Sequence, residues 1–489
     1  LPNTKLNDLS PNARELAEAS MAWCDACYDS ELGLLTGVRN DFSVGDVRNS
    51  IWYAVGLLLR GGEGDDARAA RTIEAILERQ FDEPGMPYHG TFARNTAEDH
   101  PPYAEAVMWQ DYDPNWRQFI GVGLAIVAEE YESRLPGSLM ERVNRALNLA
   151  VEGEPVDRCS PRYSNIALMK AGLNVYVGKR MGRKELTTYG EAFGREVYEA
   201  FRECDAFGEY NSPTYYGVNL YALGFWRRYL TESGLHALGA EMEAGLWRDT
   251  SLLYHADLQN LCGPFTRSYG MDMAEYTAII SQHIWMACER EAAPLPPADK
   301  LDWEFAYGPC LALLGVDVPV DAAEAFYSFG ERRLVLKQIT KESNRVVSAW
   351  LDDTYMIGAE SSAVCTPVLS QFRPVTAHWK TPDGSIGWIW LIHYGPVDGQ
   401  AEEGLLTIRA PVEDTFRTED LDSAEFTFRI HTQGVASGGV QRDRWNLPGM
   451  TVSVETNAAG FRMEEESGDV IVVYVMDPGE AMFELRFDP

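Results

Sequence analysis

From residue 10 to about residue 315 the chain alternates two kinds of helical run, and this alternation constrains the fold more than any other feature. Residues 11–28, 65–80, 138–151, 183–204 and 235–255 are amphipathic, with one polar face. Between them, 47–59, 116–131, 165–177, 214–230 and 272–288 are apolar nearly all round and rich in small residues. A helix that is apolar on every side has to be buried, whereas an amphipathic one can cover it from the solvent side. Alternating the two builds a ring in which outer helices wall inner ones. The pattern predicts a mainly α N-terminal (α/α) toroid of about five to seven helical hairpins, with a last apolar run over 305–314.

Successive helices in such a ring run antiparallel, so every inner helix starts at the same end and the loops before them share one rim. Those loops hold Asp46, Arg48 and Asn49; Asp111, Asp113, Asn115, Trp116 and Arg117; Arg162, Tyr163, Ser164 and Asn165; Glu209, Asn211, Ser212, Tyr215 and Tyr216; and Arg267, Ser268, Tyr269 and Asp272. Asn, Asp and Ser before a helix are what N-capping asks for, and capping accounts for much of this polarity. It does not account for the aromatic rings, nor for Arg48, Arg117, Arg162 and Arg267, since a cation is unfavourable at the positive end of a helix dipole. A basic, aromatic-lined basin is the expectation.

From about residue 326 the period becomes strand-like. Runs 333–337, 387–392, 405–409, 469–475 and 481–485 are short, rich in β-formers and separated by turn residues, which predicts an antiparallel β-sandwich domain. The expected division is a toroid catalytic domain over 1–325 and a sandwich over 326–489.

With 74 acidic against 42 basic residues the formal net charge is −32, a field that repels nucleic acid and anionic membrane surfaces. No stretch approaches a membrane-spanning length of apolar residues. The cysteines Cys24, Cys27, Cys159, Cys204, Cys262, Cys288, Cys310 and Cys365 are dispersed, and the one C-x-x-C, Cys24 and Cys27, lies in a helical run without a second pair or a His to complete a zinc site. No metal or other cofactor is expected. Phosphate-binding Gly loops, G-x-S-x-G and H-E-x-x-H are absent. The chain opens at Leu1, which slightly favours an exported protein whose leader has been removed over a cytoplasmic one.

The order of toroid then sandwich, the segment 209–216, the Arg267, Ser268, Tyr269 loop and the stretch 371–379 that contains His378 and Trp379 together resemble the polysaccharide lyases of the helical-toroid group, among them the heparinase II/III-like, alginate and glucuronan lyases. The resemblance implies a carbon–oxygen lyase that cleaves a uronic-acid-containing glycan by β-elimination. Removing a proton α to a carboxylate is slow unless the developing charge is neutralised. The resemblance implies that Tyr269 takes and returns the proton, that Arg267 lowers its pKa from the usual ~10, and that Asn165 and Asn211 bind the carboxylate with His89 assisting. Tyr215, Tyr216, Asn115, Trp116, Arg117, Arg162, Glu209 and His378 would line the subsites. Which of Tyr215, Tyr216 and Tyr269 is catalytic stays open, and neither Asn165 nor Asn211 has beside it the His that many of these lyases carry.

Two other classes fit the same residues. Asp111, Asp113, Asp272 and Glu275 include the acid and base of an inverting glycoside hydrolase if a pair lies ~6.5–9.5 Å apart. A helical barrel with an aromatic pocket also suits a non-carbohydrate dehydratase or cyclase. The glycan, the linkage and the oligomeric state are not written in the sequence.

Overall fold

The computed structural model describes residues 2–37, 43–98, 102–103, 105–361, 363–364, 371–412, 424–434 and 437–489. Cys365 lies outside them. The chain forms two compact units, the first of residues 1–200, 217–244 and 277–317, the second of 201–216, 245–276 and 318–489.

The helices are α1 (Pro11–Cys27), α2 (Val47–Arg60), α3 (Asp65–Leu77), α4 (Trp116–Glu130), α5 (Gly137–Glu152), α6 (Ser164–Met181), α7 (Lys184–Arg202), α8 (Pro213–Tyr229), α9 (Gly234–Leu253), α10 (Ile279–Ala287) and α11 (Gly308–Leu314). Within the first unit α2, α4, α6, α8, α10 and α11 form the inner wall of an (α/α) toroid. Helix α2 packs on α4 and on α11, α4 on α6, and α10 on α11. Trp226 of α8 donates its indole N–H to the Leu168 carbonyl of α6 at 3.0 Å. At the α8–α10 contact a Cβ on Gly217 would lie 2.5 Å from the Ile279 side chain, so only glycine lets the two backbones approach. Every residue of α2 from Val47 to Leu59 is buried, as an all-round apolar run requires.

Two runs differ from the expected ones. The last long inner run is helical only from Ile279, because Asp272 folds its own segment into a turn, accepting from the backbone N–H of Ala274 at 2.9 Å. The 305–314 run divides into a 3-10 turn, Trp303–Tyr307, and α11, whose Pro309 sits at the first turn.

The second unit is an antiparallel β-sandwich. Short hairpins β1/β2 (Tyr28–Asp29, Leu34–Leu35) and β3/β4 (Tyr254–His255, Asn260–Leu261) precede it in the chain. Its strands are β5 (Arg333–Thr340), β6 (Arg345–Leu351), β7 (Tyr355–Ser361), β8 (Ala363–Val364), β9 (Val375–Lys380), β10 (Ile386–Ile392), β11 (Pro396–Glu402), β12 (Leu405–Val412), β13 (Glu425–His431), β14 (Arg444–Leu447), β15 (Met450–Thr456), β16 (Gly460–Glu466), β17 (Asp469–Val475) and β18 (Gly479–Asp488). One sheet runs β16-β17-β13-β10-β9-β7-β6-β5, the other β14-β15-β18-β12-β11-β8. Side chains alternate, buried at every second position of β10, β12 and β13, and the inward set packs Phe426, Phe428, Trp445, Tyr474 and Phe483 into one core.

Candidate functional site

The hydroxyl oxygens of Tyr215 and Tyr269 are 2.8 Å apart in the second unit. Tyr215 stands in the first turn of α8, half-buried, and Tyr269 on the loop after β4, 43% exposed. Arg267 lies flat against the Tyr215 ring, its guanidinium carbon 3.9 Å from the ring centroid. Its three kinds of N–H are all directed: Nη2 donates to Tyr215 Oη at 2.7 Å, Nη1 to Glu209 Oε1 at 3.1 Å, and Nε to Gln371 Oε1 at 2.9 Å. The pKa of Tyr215 is held well above the usual phenol range, first by burial and then by the neighbouring Tyr269, with Arg267 pulling the other way. Tyr215 therefore holds its proton more tightly than an ordinary phenol. Arg267 reaches Tyr215 directly, where the sequence pointed to Tyr269 as its partner.

The loop carrying Arg267 and Tyr269 is fastened from both sides. Asn211 donates its amide to the carbonyls of Cys262 and Pro264 at 2.7 and 2.9 Å, and Ser212 Oγ to the Arg267 carbonyl at 2.6 Å. From the sandwich, Phe265 and Arg373 exchange both backbone hydrogen bonds, Ser268 N–H donates to the Gln371 carbonyl at 2.8 Å, and His378 Nε2 donates to the Met271 carbonyl at 2.9 Å. A Cβ on Gly358 of β7 would lie 1.8 Å from the Gly263 carbonyl oxygen, so the loop backbone rests directly on the sheet.

Four of the candidates in this unit are buried by that packing. Asn211 is fully buried with its backbone at φ 49°, a conformation Asn tolerates, and its amide donors are spent on the loop. Tyr216 is buried, its ring edge-on to that of Tyr210. His378 is buried and neutral, its pKa drawn down to about 4 by desolvation, and anchors the loop rather than facing solvent. Glu209 is buried and paired with Arg267.

In the first unit, Asn115 precedes α4 but does not cap it. Its side chain donates to Tyr163 Oη and accepts from Arg158 Nη1, both at 2.9 Å. Arg158 in turn pairs with Glu154, whose carboxylate also faces Arg117 and Lys170. Arg117 is fully buried, bonded to the carbonyls of His89, Pro87 and Pro114, and desolvation lowers its pKa to about 10. It braces the His89 loop, and the carbonyl acceptors offset the unfavourable helix dipole. Trp116 is buried, one of four rings, with Trp52, Phe119 and Trp303, that surround the Arg48 guanidinium at 4.9–5.6 Å. Asn165 is fully buried in the first turn of α6. His89, 4.0 Å from Asp82, and Arg162 keep partly open positions.

Of the carboxylates considered for hydrolysis, Asp111 accepts from Val107 N–H, Asp113 from Asn115 N–H, and Asp272 from Ala274 N–H and the Asn260 amide. Each closes a local turn. Burial raises the pKa of Asp113 and of Asp272. Among the described residues no group of three or more His, Cys, Asp or Glu is placed to hold a metal ion, and no helix is long and apolar enough to cross a membrane. Sequence reasoning placed Gln371 in the stretch 371–379 but gave it no role, and it missed Arg158, since a contact across more than a hundred residues, such as Gln371 to Arg267, leaves no local pattern.

Among solved structures the chain is similar to a chondroitin AC lyase of Streptomyces coelicolor A3 in complex with chondroitin sulphate, at 10% identity over 98% of this chain and 80% of that chain, with a TM-score of 0.51. A heparinase III matches over 100% of this chain and 86% of that one at 10% identity and a TM-score of 0.46, and endoglucanase CelQ from Clostridium thermocellum over 97% and 83% at 10% identity and 0.26. The last two carry no argument, and the first shows the toroid-and-sandwich fold alone. No curated protein matches the sequence. Two family models match, "Domain of unknown function (DUF8769)" over residues 14–315 and "Domain of unknown function (DUF8770)" over 333–466. The first spans more than half of the chain, and the protein therefore belongs to the DUF8769 family.

Proposed function

We propose that this protein is a polysaccharide lyase that cleaves a uronic-acid-containing glycan by β-elimination, with the sequence division into a catalytic domain over 1–325 and a sandwich over 326–489 as part of that reading. The observation that carries it is the run of donors from Arg267 through Tyr215 to the exposed hydroxyl of Tyr269. A phenol whose conjugate base is stabilised by a second, cation-linked phenol is what proton abstraction next to a carboxylate demands. Tyr269 as phenolate takes the C5 proton, the C4–O bond breaks as the C4=C5 double bond forms, and the same phenol returns the proton to the leaving glycosidic oxygen. Arg267 supplies the positive charge of the site through Tyr215. The fold likeness to a chondroitin AC lyase supports the class.

The test is absorbance near ~235 nm during incubation with glucuronan, alginate, pectic and glycosaminoglycan chains, since elimination creates a conjugated unsaturated uronate. A rise with one substrate supports the proposal and names the glycan. New reducing ends without absorbance would replace it by glycoside hydrolysis.

A further inference from the structure

The guanidinium of Arg267 is the hinge of the tyrosine pair, and its orientation is shared between two parts of the second unit. Glu209 holds Nη1 and Tyr215 receives Nη2, both from the segment that leads into α8. The Nε–H goes to the side-chain oxygen of Gln371, 104 residues further along the chain. Gln371 also accepts Ser268 N–H on its backbone carbonyl, and two residues later Arg373 pairs with Phe265, so 265–268 and 371–373 run alongside each other as laced strands.

We propose that Gln371 is the positioning residue of this site: from the sandwich sequence it locks the guanidinium plane of Arg267 so that Nη2 meets Tyr215, which in turn faces Tyr269. A planar guanidinium held at Nε cannot turn about its last side-chain bond without breaking that contact. Released there, it keeps Glu209 as a strong partner and has no reason to keep the weaker phenol. The chemistry of the amide matters as much as its reach. Its oxygen accepts the N–H without adding charge, whereas a second carboxylate beside Glu209 would cancel the cation that the phenols depend on. The inference extends the lyase reading and rests on it for its kinetic consequence, but its geometric content stands on the tyrosine pair alone.

The experiment compares the full chain with Gln371→Glu and Gln371→Leu, each checked for folding by thermal melting. Without substrate, tyrosines labelled at Cζ with carbon-13 are titrated by NMR, and the Tyr269 signal is identified by its loss in Tyr269→Phe. Gln371→Glu is expected to move the Tyr269 midpoint upward by roughly one pH unit, and Gln371→Leu upward by less. With substrate, the pH profile of kcat for elimination moves in the same direction while KM stays within about two-fold. A Tyr269 midpoint unchanged in both folded variants overturns the proposal. Absence of an unsaturated product from the unaltered protein on every glycan would instead remove the lyase reading, and the titration would still decide the role of Gln371.

Discussion

Tyr215 and Tyr269 stand 54 residues apart in the chain and share one hydrogen bond, with their rings inclined at 60° and centroids 6.2 Å apart. One partner is half-buried and touched by a guanidinium; the other is open to solvent. The pair is therefore asymmetric. The phenol of Tyr215 is held well above its usual pKa range by burial, and Tyr269 is the more exposed partner.

Removing the Tyr269 hydroxyl should abolish turnover without loosening the fold. Tyr269→Phe is expected to lower kcat for elimination by roughly 10²–10⁴ and to leave the melting temperature little changed, because the substitution keeps the ring and removes only a hydroxyl from a residue that is 43% exposed. Tyr215→Phe should cost less and move the pH optimum upward, since Tyr269 then loses the donor that stabilises its phenolate. Wild-type rates in Tyr269→Phe would end the assignment.

Arg267→Lys keeps a charge but loses the planar fork that reaches Glu209, Tyr215 and Gln371 together. A fall in kcat of about ten-fold or more is expected, with KM much less affected. If Lys substitutes fully, the charge alone suffices and the three-way geometry is irrelevant.

In the first unit, burial pushes the carboxyl of Glu304 up to about 7 against the attraction of Arg48, whose Nη2 lies 3.6 Å away. The folded state thus holds this proton more tightly than the unfolded chain, where a glutamate titrates near its model value of 4.5. The stability linked to this group is complete below that unfolded value and is lost as pH rises through about 7, by at most about 3 kcal/mol. Melting temperatures measured from about pH 5 to pH 8 should decline less steeply in Glu304→Gln. Equal slopes in the two proteins would show that Glu304 does not titrate in this window.

Asn211 combines a positive φ with two amide hydrogen bonds to loop carbonyls. Asn211→Gly loses only the bonds, and Asn211→Ala loses them and strains the backbone as well. Denaturant unfolding should show both destabilised, with Ala worse, by about 2 kcal/mol or more. Alanine outperforming glycine would contradict the strain argument.

The ring and the sandwich were legible because they rest on periodicity. The buried run 47–59 and the alternating β10 each show in sequence the face they hide. The misread stretch, 272–278, failed for a local reason: Asp272 bonds to its own backbone neighbour and so stops the helix that apolar spacing suggested. Arg117 is a different case. The sequence showed no partner to offset the helix dipole there, and the partners are the carbonyls of Pro87, His89 and Pro114.

What the sequence by itself determined is the alternation of buried and covering helices, the change of period near residue 326, and the placement of Arg267 and Tyr269 two residues apart on one loop. Those properties depend on residues a few positions apart, whose side chains face the same way whatever the rest of the chain does. Only the tertiary structure decided that Tyr215 stands between Arg267 and Tyr269, that Gln371 and Glu209 also meet the guanidinium, and that Asn165, Asn211 and Arg117 are enclosed. Burial and hydrogen-bond competition are properties of the packed molecule. A polar side chain at a helix start can cap, clamp a loop or meet a ligand, and which it does is set by neighbours that arrive from elsewhere in the chain.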